Sequence, residues 1–354
     1  MIKLIRKIPV LVALVLVVIG VVGTNFNKAP KEPEVVTPEP TEKVTRKIKI
    51  TATGDCTFAT DINASRELGF VAYQERYGNE WFFKNVRGIF ENDDLTIVNF
   101  EGTLSDRGER AIKQFAFRGK PEYAKILSGS SVEAANLANN HSMDYGEISL
   151  TDTKMYLEQE GIVHCRGEED VTITEINGIK VGLVGINYLN DVMRTEFESA
   201  IKRAKDGGAE LIILSIHWGV EKATAPNAEQ IEVAHRAIDL GVDLVIGTHP
   251  HVLQGFEKYN GRMICYSLGN FSFGGNNSPS DMDTAIYTQT FTFDGDTLID
   301  DNNFKIIPTR ISSTAPLNNY QPTRAEGAQY ERIVDRLTTY TSELGDLQLN
   351  FRAQ

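Results

Sequence analysis

The chain has 354 residues, 41% of them apolar and 24% charged, which is too long for a minimal domain and fits one large α/β domain with attachments. The formal net charge is −12; residues 1–46 hold seven Lys/Arg against four Asp/Glu, so the remainder carries about −15. A domain that acidic repels polyanions in bulk, which argues against nucleic acid as a partner and requires that an anionic substrate be held locally, by metal or by a few Arg and Lys side chains.

In chain order, Lys3, Arg6 and Lys7 precede an apolar run over residues 8–23. That run is short for a spanning helix, which takes about 20 residues, and no small-x-small cleavage site follows at Thr24–Asn27. We expect residues 1–27 to be an uncleaved signal anchor, single-pass in the cell membrane, with a cytoplasmic N-terminus and the domain outside. A cleaved signal and a buried helix are the alternatives. Residues 28–46 mix proline with alternating charge and predict a semi-extended tether.

From 47 to 315 strands alternate with helices, which argues for sheets with helices packed on their faces. Strands are expected at 47–53, 96–98, 132–139, 210–218 and 242–247. Helices are expected around 80–90 and at 147–161, 196–206 and 227–240. Two strands within 171–187 turn at Asn177-Gly178. Late strands at 252–258, 262–267, 284–293 and 303–312 carry hairpin signals at Asn260-Gly261 and Asp294-Gly295. A C-terminal helical extension, 316–354, contains an amphipathic stretch at 323–345. The three cysteines, Cys56, Cys165 and Cys265, form no CxxC, which excludes a thiolate zinc knot; one disulfide is compatible with the count, but no pair is indicated.

The unusual polar residues sit where the predicted strands end. Asp55 follows the first, Asn99 and Glu101 the second, Asn139, Asn140 and His141 the third, His217 the fourth, and His249 and His251 the fifth. Carboxyl ends of parallel strands converge on a ligand crevice, so these residues are expected to meet. Each has a bland counterpart: Asp55 as a turn or cap residue, Glu101 and Asn139-Asn140-His141 as solvated turns, His217 as a satisfied core histidine. In His249-Pro250-His251 an extended backbone would place both imidazoles on one face, stiffened by Pro250. His235 sits in a helix pattern and reads as structural; His164 has no evident partner.

The segments Gly54-Asp55, Val98-Asn99-Phe100-Glu101-Gly102, Asn136-Leu137-Ala138-Asn139-Asn140-His141 with Asp144 and Gly146, His217-Trp218-Gly219, Gly247-Thr248-His249-Pro250-His251 and Ser267-Leu268-Gly269-Asn270-Phe271 run in one order over roughly residues 47–275. Together they resemble the capsule synthesis protein CapA family, also called the poly-γ-glutamate synthesis PgsA-type proteins. The resemblance implies a four-layer αββα sandwich of the calcineurin-like metallophosphoesterase type. It implies two divalent metals, with Glu101 bridging them, Asp55 and His251 completing one, and Asn140, His217 and His249 the other. His141 would be a general acid hydrogen-bonded to Asp144, with Arg118 and Asn270 at the substrate. One departure stands out. The wider phosphoesterase pattern begins Asp-x-His, whereas this chain has Asp55-Cys56-Thr57, which removes a ligand from the first metal.

A donor set of carboxylate, imidazole and amide oxygen suits Mn, Fe or Zn better than Ca. Such a metal lowers the pKa of bound water to about 7, and His141 would protonate the leaving group of a phosphoester or amide. Three functions are expected from the resemblance. The first is a component of poly-γ-glutamate (capsule) biosynthesis and export, partnered by membrane-embedded synthase or ligase subunits and handling an anionic polymer. The second is an independent cell-envelope metal-dependent phosphoesterase or amide hydrolase. The third is a non-catalytic metal-binding module.

Overall fold

The computed structural model describes residues 45–61, 67–299 and 303–351. The expected anchor, 1–27, and the tether up to residue 44 lie outside the described residues. No helix among the described residues is long and apolar enough to cross a membrane.

Thr45 and Arg46 already belong to β1 (Thr45–Thr57), which runs four residues beyond the predicted end. It is followed by α1 (Phe70–Tyr77) and α2 (Arg87–Phe90), flanking a 3₁₀ turn at Asn79–Trp81, where one helix-like stretch was expected. Then come β2 (Leu95–Phe100), β3 (Thr103–Leu104), β4 (Arg118–Gly119), α3 (Ala124–Ser128), β5 (Ala134–Asn136), α4 (Glu147–Gln159) and β6 (Val163–Cys165). The hairpin β7 (Thr172–Ile176) and β8 (Ile179–Asn187) turns at Asn177 and Gly178, whose φ values of 53° and 73° are the two left-handed residues a type I′ turn requires. The chain continues through α5 (Asp191–Thr195), α6 (Phe197–Asp206), β9 (Leu211–His217), α7 (Ala228–Asp239) and β10 (Leu244–Thr248). Asn227 and Gln230 close a capping box at the start of α7. The last elements are β11 (Phe256–Tyr259), β12 (Arg262–Cys265), β13 (Asn270–Phe273), β14 (Asp283–Asp294), β15 (Thr297–Ile299), β16 (Phe304–Arg310), β17 (Thr323–Arg324) and α8 (Gly327–Ser342).

Two large sheets result. The first has the order β17-β16-β14-β1-β2-β5-β6, with β13 also on β1 and β15 on β14; the second has the order β11-β12-β10-β9-β8-β7. In the first, β1, β2, β5 and β6 are parallel; in the second, β8, β9, β10 and β12 are. Neighbouring residues alternate between two cores, as the period of a strand demands. Ile97, Leu183, Ile213 and Leu244 pack in one core shared by both sheets. Their successors face outward: Val98 meets Ile126, Leu127 and Leu157 from α3 and α4, while Val184, Leu214 and Val245 meet Ala200, Ile201, Val233 and Ala237 from α6 and α7. The layers are therefore helix, sheet, sheet, helix.

The C-terminal extension is built into this plan. β17 pairs with β16, and Ile333 and Leu337 of α8 belong to the core between the sheets. The three cysteines are free and buried, and burial pushes their thiols up, so they serve as small core hydrophobes.

Candidate metal centre

Register brings the site together. Across the first sheet, Asp55 lies opposite Asn99, and Asn99 opposite Asn136; across the second, His217 lies between Asn187 and Thr248. Asp55 was expected just beyond a strand, but it lies inside β1, because β2 and β13 both pair with that end. The close approach depends on Gly54: a Cβ there would sit 1.9 Å from Gly269 O, while Asp55 N donates to the same carbonyl at 2.9 Å.

Asp55 and Glu101 are fully buried. Asp55 Oδ1 accepts from Asn99 Nδ2 at 2.7 Å, and its Oδ2 lies 3.0 Å from His251 Nδ1. His217 Nδ1 is 3.0 Å from Thr248 Oγ1, and Thr248 donates its own proton to Ile216 O at 3.3 Å. The hydroxyl therefore accepts from His217 Nδ1–H, which leaves a lone pair on Nε2. That nitrogen lies 2.9 Å from Asn140 Oδ1 and 3.1 Å from Glu101 Oε1. Three acceptors thus face one another. Neither Glu101 oxygen has a hydrogen-bond partner among the described residues, and neither does His249 Nδ1.

The electrostatics follow from burial. Burial first, and then the Asp55 charge, pushes Glu101 up to about 7. Burial holds His217 down at about 3, and His249 likewise, with His217 and His251 adding to the effect on His249. Neutral imidazoles are the ligand form. For His251 burial works against the charged ring, but the Glu101 and Asp55 carboxylates win and push it up to about 10. The same ring keeps Asp55 below the usual carboxylate range, against the opposing effect of burial.

The donors form two groups. Ligand atoms of Asp55, Glu101 and His217 lie within 4.8 Å of one another, and so do those of Glu221, His249 and His251. The oxygen and imidazole donors, the facing acceptors and the unpartnered buried oxygens all fit a divalent cation of the Mn, Fe or Zn type. The pairs that the resemblance implied are close as well: His251 Nδ1 lies 3.0 Å from Asp55 Oδ2, and the His217 and His249 rings are 4.7 Å apart. Thr57, at the position of the missing histidine, is fully buried, and its hydroxyl has no partner among the described residues.

His249 and His251 converge by a route the sequence did not suggest. Their φ values are 97° and 57°, so the segment bends through left-handed backbone instead of running extended, and the rings lie 5.8 Å apart. Such conformations cost about 1–3 kcal/mol each and cluster at functional sites. Lys222 N donates to Pro250 O at 2.7 Å, which carries Glu221 to the two imidazoles.

A cavity of about 230 Å³ opens beside the donors, lined in part by His141, His251, Asn270, Phe117, Phe273 and Glu221. His141 Nδ1 lies 2.8 Å from Asp144 Oδ2, as expected. Asp144 also accepts from Phe117 N at 2.6 Å and from Lys113 Nζ at 2.7 Å. Asn270 holds the metal-donor side chain itself, with Oδ1 2.9 Å from His251 Nδ1. Arg118 stands apart. It does not line the cavity, and its guanidinium lies over the Tyr145 ring at 4.0 Å. Glu221 and Lys113 escaped sequence reasoning. Each lies in a polar loop with no periodicity, and only long-range packing gives it a role. His164, expected without a partner, lies between Asp170 at 3.2 Å and Glu158 at 3.0 Å. His235 is structural, bonded to Glu257 at 2.8 Å and stacked on Tyr259.

Similarity to known proteins points to one family. A capsule biosynthesis protein CapA of Bacillus anthracis is 31% identical over 245 residues, which is 61% of this chain and 59% of the relative. A PGA biosynthesis protein CapA of Bacillus subtilis (strain 168) is 30% identical over 239 residues, 61% of this chain and 62% of the relative. The chain thus spans about three fifths of the length of the curated relatives it matches. The crystal structure of a 5′-nucleotidase precursor from Thermus thermophilus superposes with a TM-score of 0.44 at 13% identity, covering 83% of this chain and 58% of that one. Residues 49–275 match the family described as bacterial capsule synthesis protein PGA_cap, and this chain belongs to that family.

Proposed function

We propose that this chain is an extracytoplasmic component of capsule, poly-γ-glutamate, synthesis and export, with a metallophosphoesterase-like metal centre. Residues 1–27 hold it at the membrane beside embedded synthase or ligase subunits. Family membership supports the process, and the basic flank and apolar run at the N-terminus support the location. The observation that carries the metal centre is the set of facing acceptors: His217 Nε2, Asn140 Oδ1 and the unpartnered Glu101 carboxylate within about 3 Å of His217.

Asp55, Glu101, His217 and Asn140 would hold one divalent ion, and Glu221, His249 and His251 a second. When bound, such ions supply a Lewis acid and an activated water. The protein's own residues do the rest. Thr248 fixes the His217 tautomer and Asn270 fixes the His251 ring, as outer partners of metal ligands do. Asp144 anchors His141 through Nδ1 and leaves Nε2 as the nitrogen that gives a proton to a leaving group. Phe117, packed on His141 at 4.6 Å, and Phe273 keep the cavity wall dry.

A second reading, an independent envelope phosphoesterase or amide hydrolase, is favoured by the His141–Asp144 pair, which a purely binding site would not need. Both readings are tested on the purified full chain. Divalent metal should co-purify or bind stoichiometrically, and His249→Ala should lower that content. Turnover of glutamate oligomers or of an aryl phosphodiester should fall about a hundredfold in His141→Ala. Full metal content in His249→Ala overturns the ligand assignment, and unchanged turnover in His141→Ala overturns the proton-donor role.

A further inference from the structure

A second cleft, of about 490 Å³, adjoins the metal cavity. Pro279, Ser280 and Asp281 line both. Its other walls include three arginines, Arg310, Arg332 and Arg336. In a domain carrying about −15 this is a local concentration of positive charge.

Two of the three are committed. Arg332 lies against Asp283, with Nε 3.0 Å and Nη2 2.5 Å from its carboxylate. Arg336, one turn further along α8, reaches Asp283 at 2.6 Å and Asp281 at 2.7 Å. Arg310 is different. It ends β16, directly opposite Asp283 at the start of β14, yet that carboxylate is taken by the other two. Its one side-chain hydrogen bond among the described residues is from Nη2 to Met282 Sδ at 3.4 Å. Its Nε is buried without a partner, and no carboxylate pairs with it among the described residues. Three guanidiniums against two carboxylates leave one positive charge, carried by Arg310. Asp281 and Asp283, held by arginines, no longer repel an incoming anion.

From this arrangement we infer that the cleft around Arg310 is a carboxylate-binding subsite for an extended acidic chain whose neighbouring residue occupies the metal cavity. The inference rests on the metal-centre reading for what lies at the other end of that chain. Nη1 and Nη2 of Arg310, unlike the buried Nε, can offer the paired N–H donors that a carboxylate accepts side by side. Pro279, Ser280 and Asp281 border both spaces, so one extended ligand crossing that rim would touch both. The subsite would set where an anionic polymer lies relative to the metals, which the metals alone cannot fix.

The test uses the full chain and a fluorescein-labelled glutamate oligomer, read by fluorescence anisotropy with and without chelator, with metal content measured in parallel. Arg310→Gln should weaken binding about tenfold, the loss of one charge-assisted contact. Arg310→Lys, which keeps the charge but not the fork, should fall between. Glutarate should displace the probe better than inorganic phosphate does. Unchanged affinity in Arg310→Gln with metal binding intact overturns the subsite alone. Absence of metal with the Arg310→Gln effect preserved overturns the metal reading and leaves the subsite standing. Better displacement by phosphate than by glutarate in chelator overturns the carboxylate assignment.

Discussion

Glu101→Gln separates the cost of the metal centre from its benefit. In metal-free protein the Glu101 carboxylate is fully buried beside Asp55 and is pushed up from 4.5 to about 7. A carboxylate whose folded pKa is raised costs the fold nothing below its unfolded value; the cost grows as pH rises and is complete above the folded pKa. The shift amounts to about 3 kcal/mol. In chelator, therefore, the stability of Glu101→Gln relative to the parent should rise by about 3 kcal/mol between roughly pH 5 and pH 8. Any fixed difference between the amide and the neutral acid cancels from that comparison. Saturating metal should close most of that gap at pH 8. The parent gains about 2.7 kcal/mol at a hundredfold excess over Kd, and the variant loses most of that gain. Urea unfolding at both pH values, with chelator and with Mn or Zn, measures all four quantities. Parallel pH profiles in chelator, or equal stabilisation of both proteins by metal, would refute the reasoning.

Three further outcomes follow from packing and charge. Gly54→Ala places a Cβ 1.9 Å from Gly269 O, so the backbone must move; a loss of at least about 2 kcal/mol is expected, with reduced metal content because Asp55 moves too. Ile333→Ala should cost about 2–5 kcal/mol in urea unfolding, since that side chain is buried in the core between the sheets; a cost near zero would make α8 a dispensable appendage. His164 is raised above its ordinary value: burial opposes the charge, but Asp170 and Glu158 outweigh it. Its contribution should be full below an unfolded pKa of about 6.5 and disappear as pH rises through the higher folded value. The pH dependence of urea unfolding near neutrality should accordingly flatten in His164→Gln.

Much of the architecture could be read before folding. The long elements β1, β2, β9, β10, α4, α6 and α7 needed only hydrophobic period, and the Asn177-Gly178 and Asn260-Gly261 turns needed only the two left-handed residues of a hairpin. Long-range pairing decided the rest. β1 runs past its predicted end because β2 and, more than 200 residues later, β13 pair with it on either side, and so Asp55 lies within a strand. The His249-Pro250-His251 bend was illegible because no local pattern predicts left-handed φ at two histidines.

The order of residue types along the chain, apolar strands each closing on a carboxylate, amide or imidazole, determined by itself that metal-type donors would gather at one edge of the sheets. That Glu221 lies within 4.8 Å of His249 and His251, and that Lys113 reaches Asp144, is visible only in three dimensions. The physical reason is that strand ends are fixed by sheet register, which hydrophobic period encodes, whereas loops take their positions from contacts with distant segments. Arg310 makes the same point from the other side: its sequence neighbours say nothing of it, and it is set apart only because Arg332 and Arg336 occupy the carboxylate it faces across the ladder.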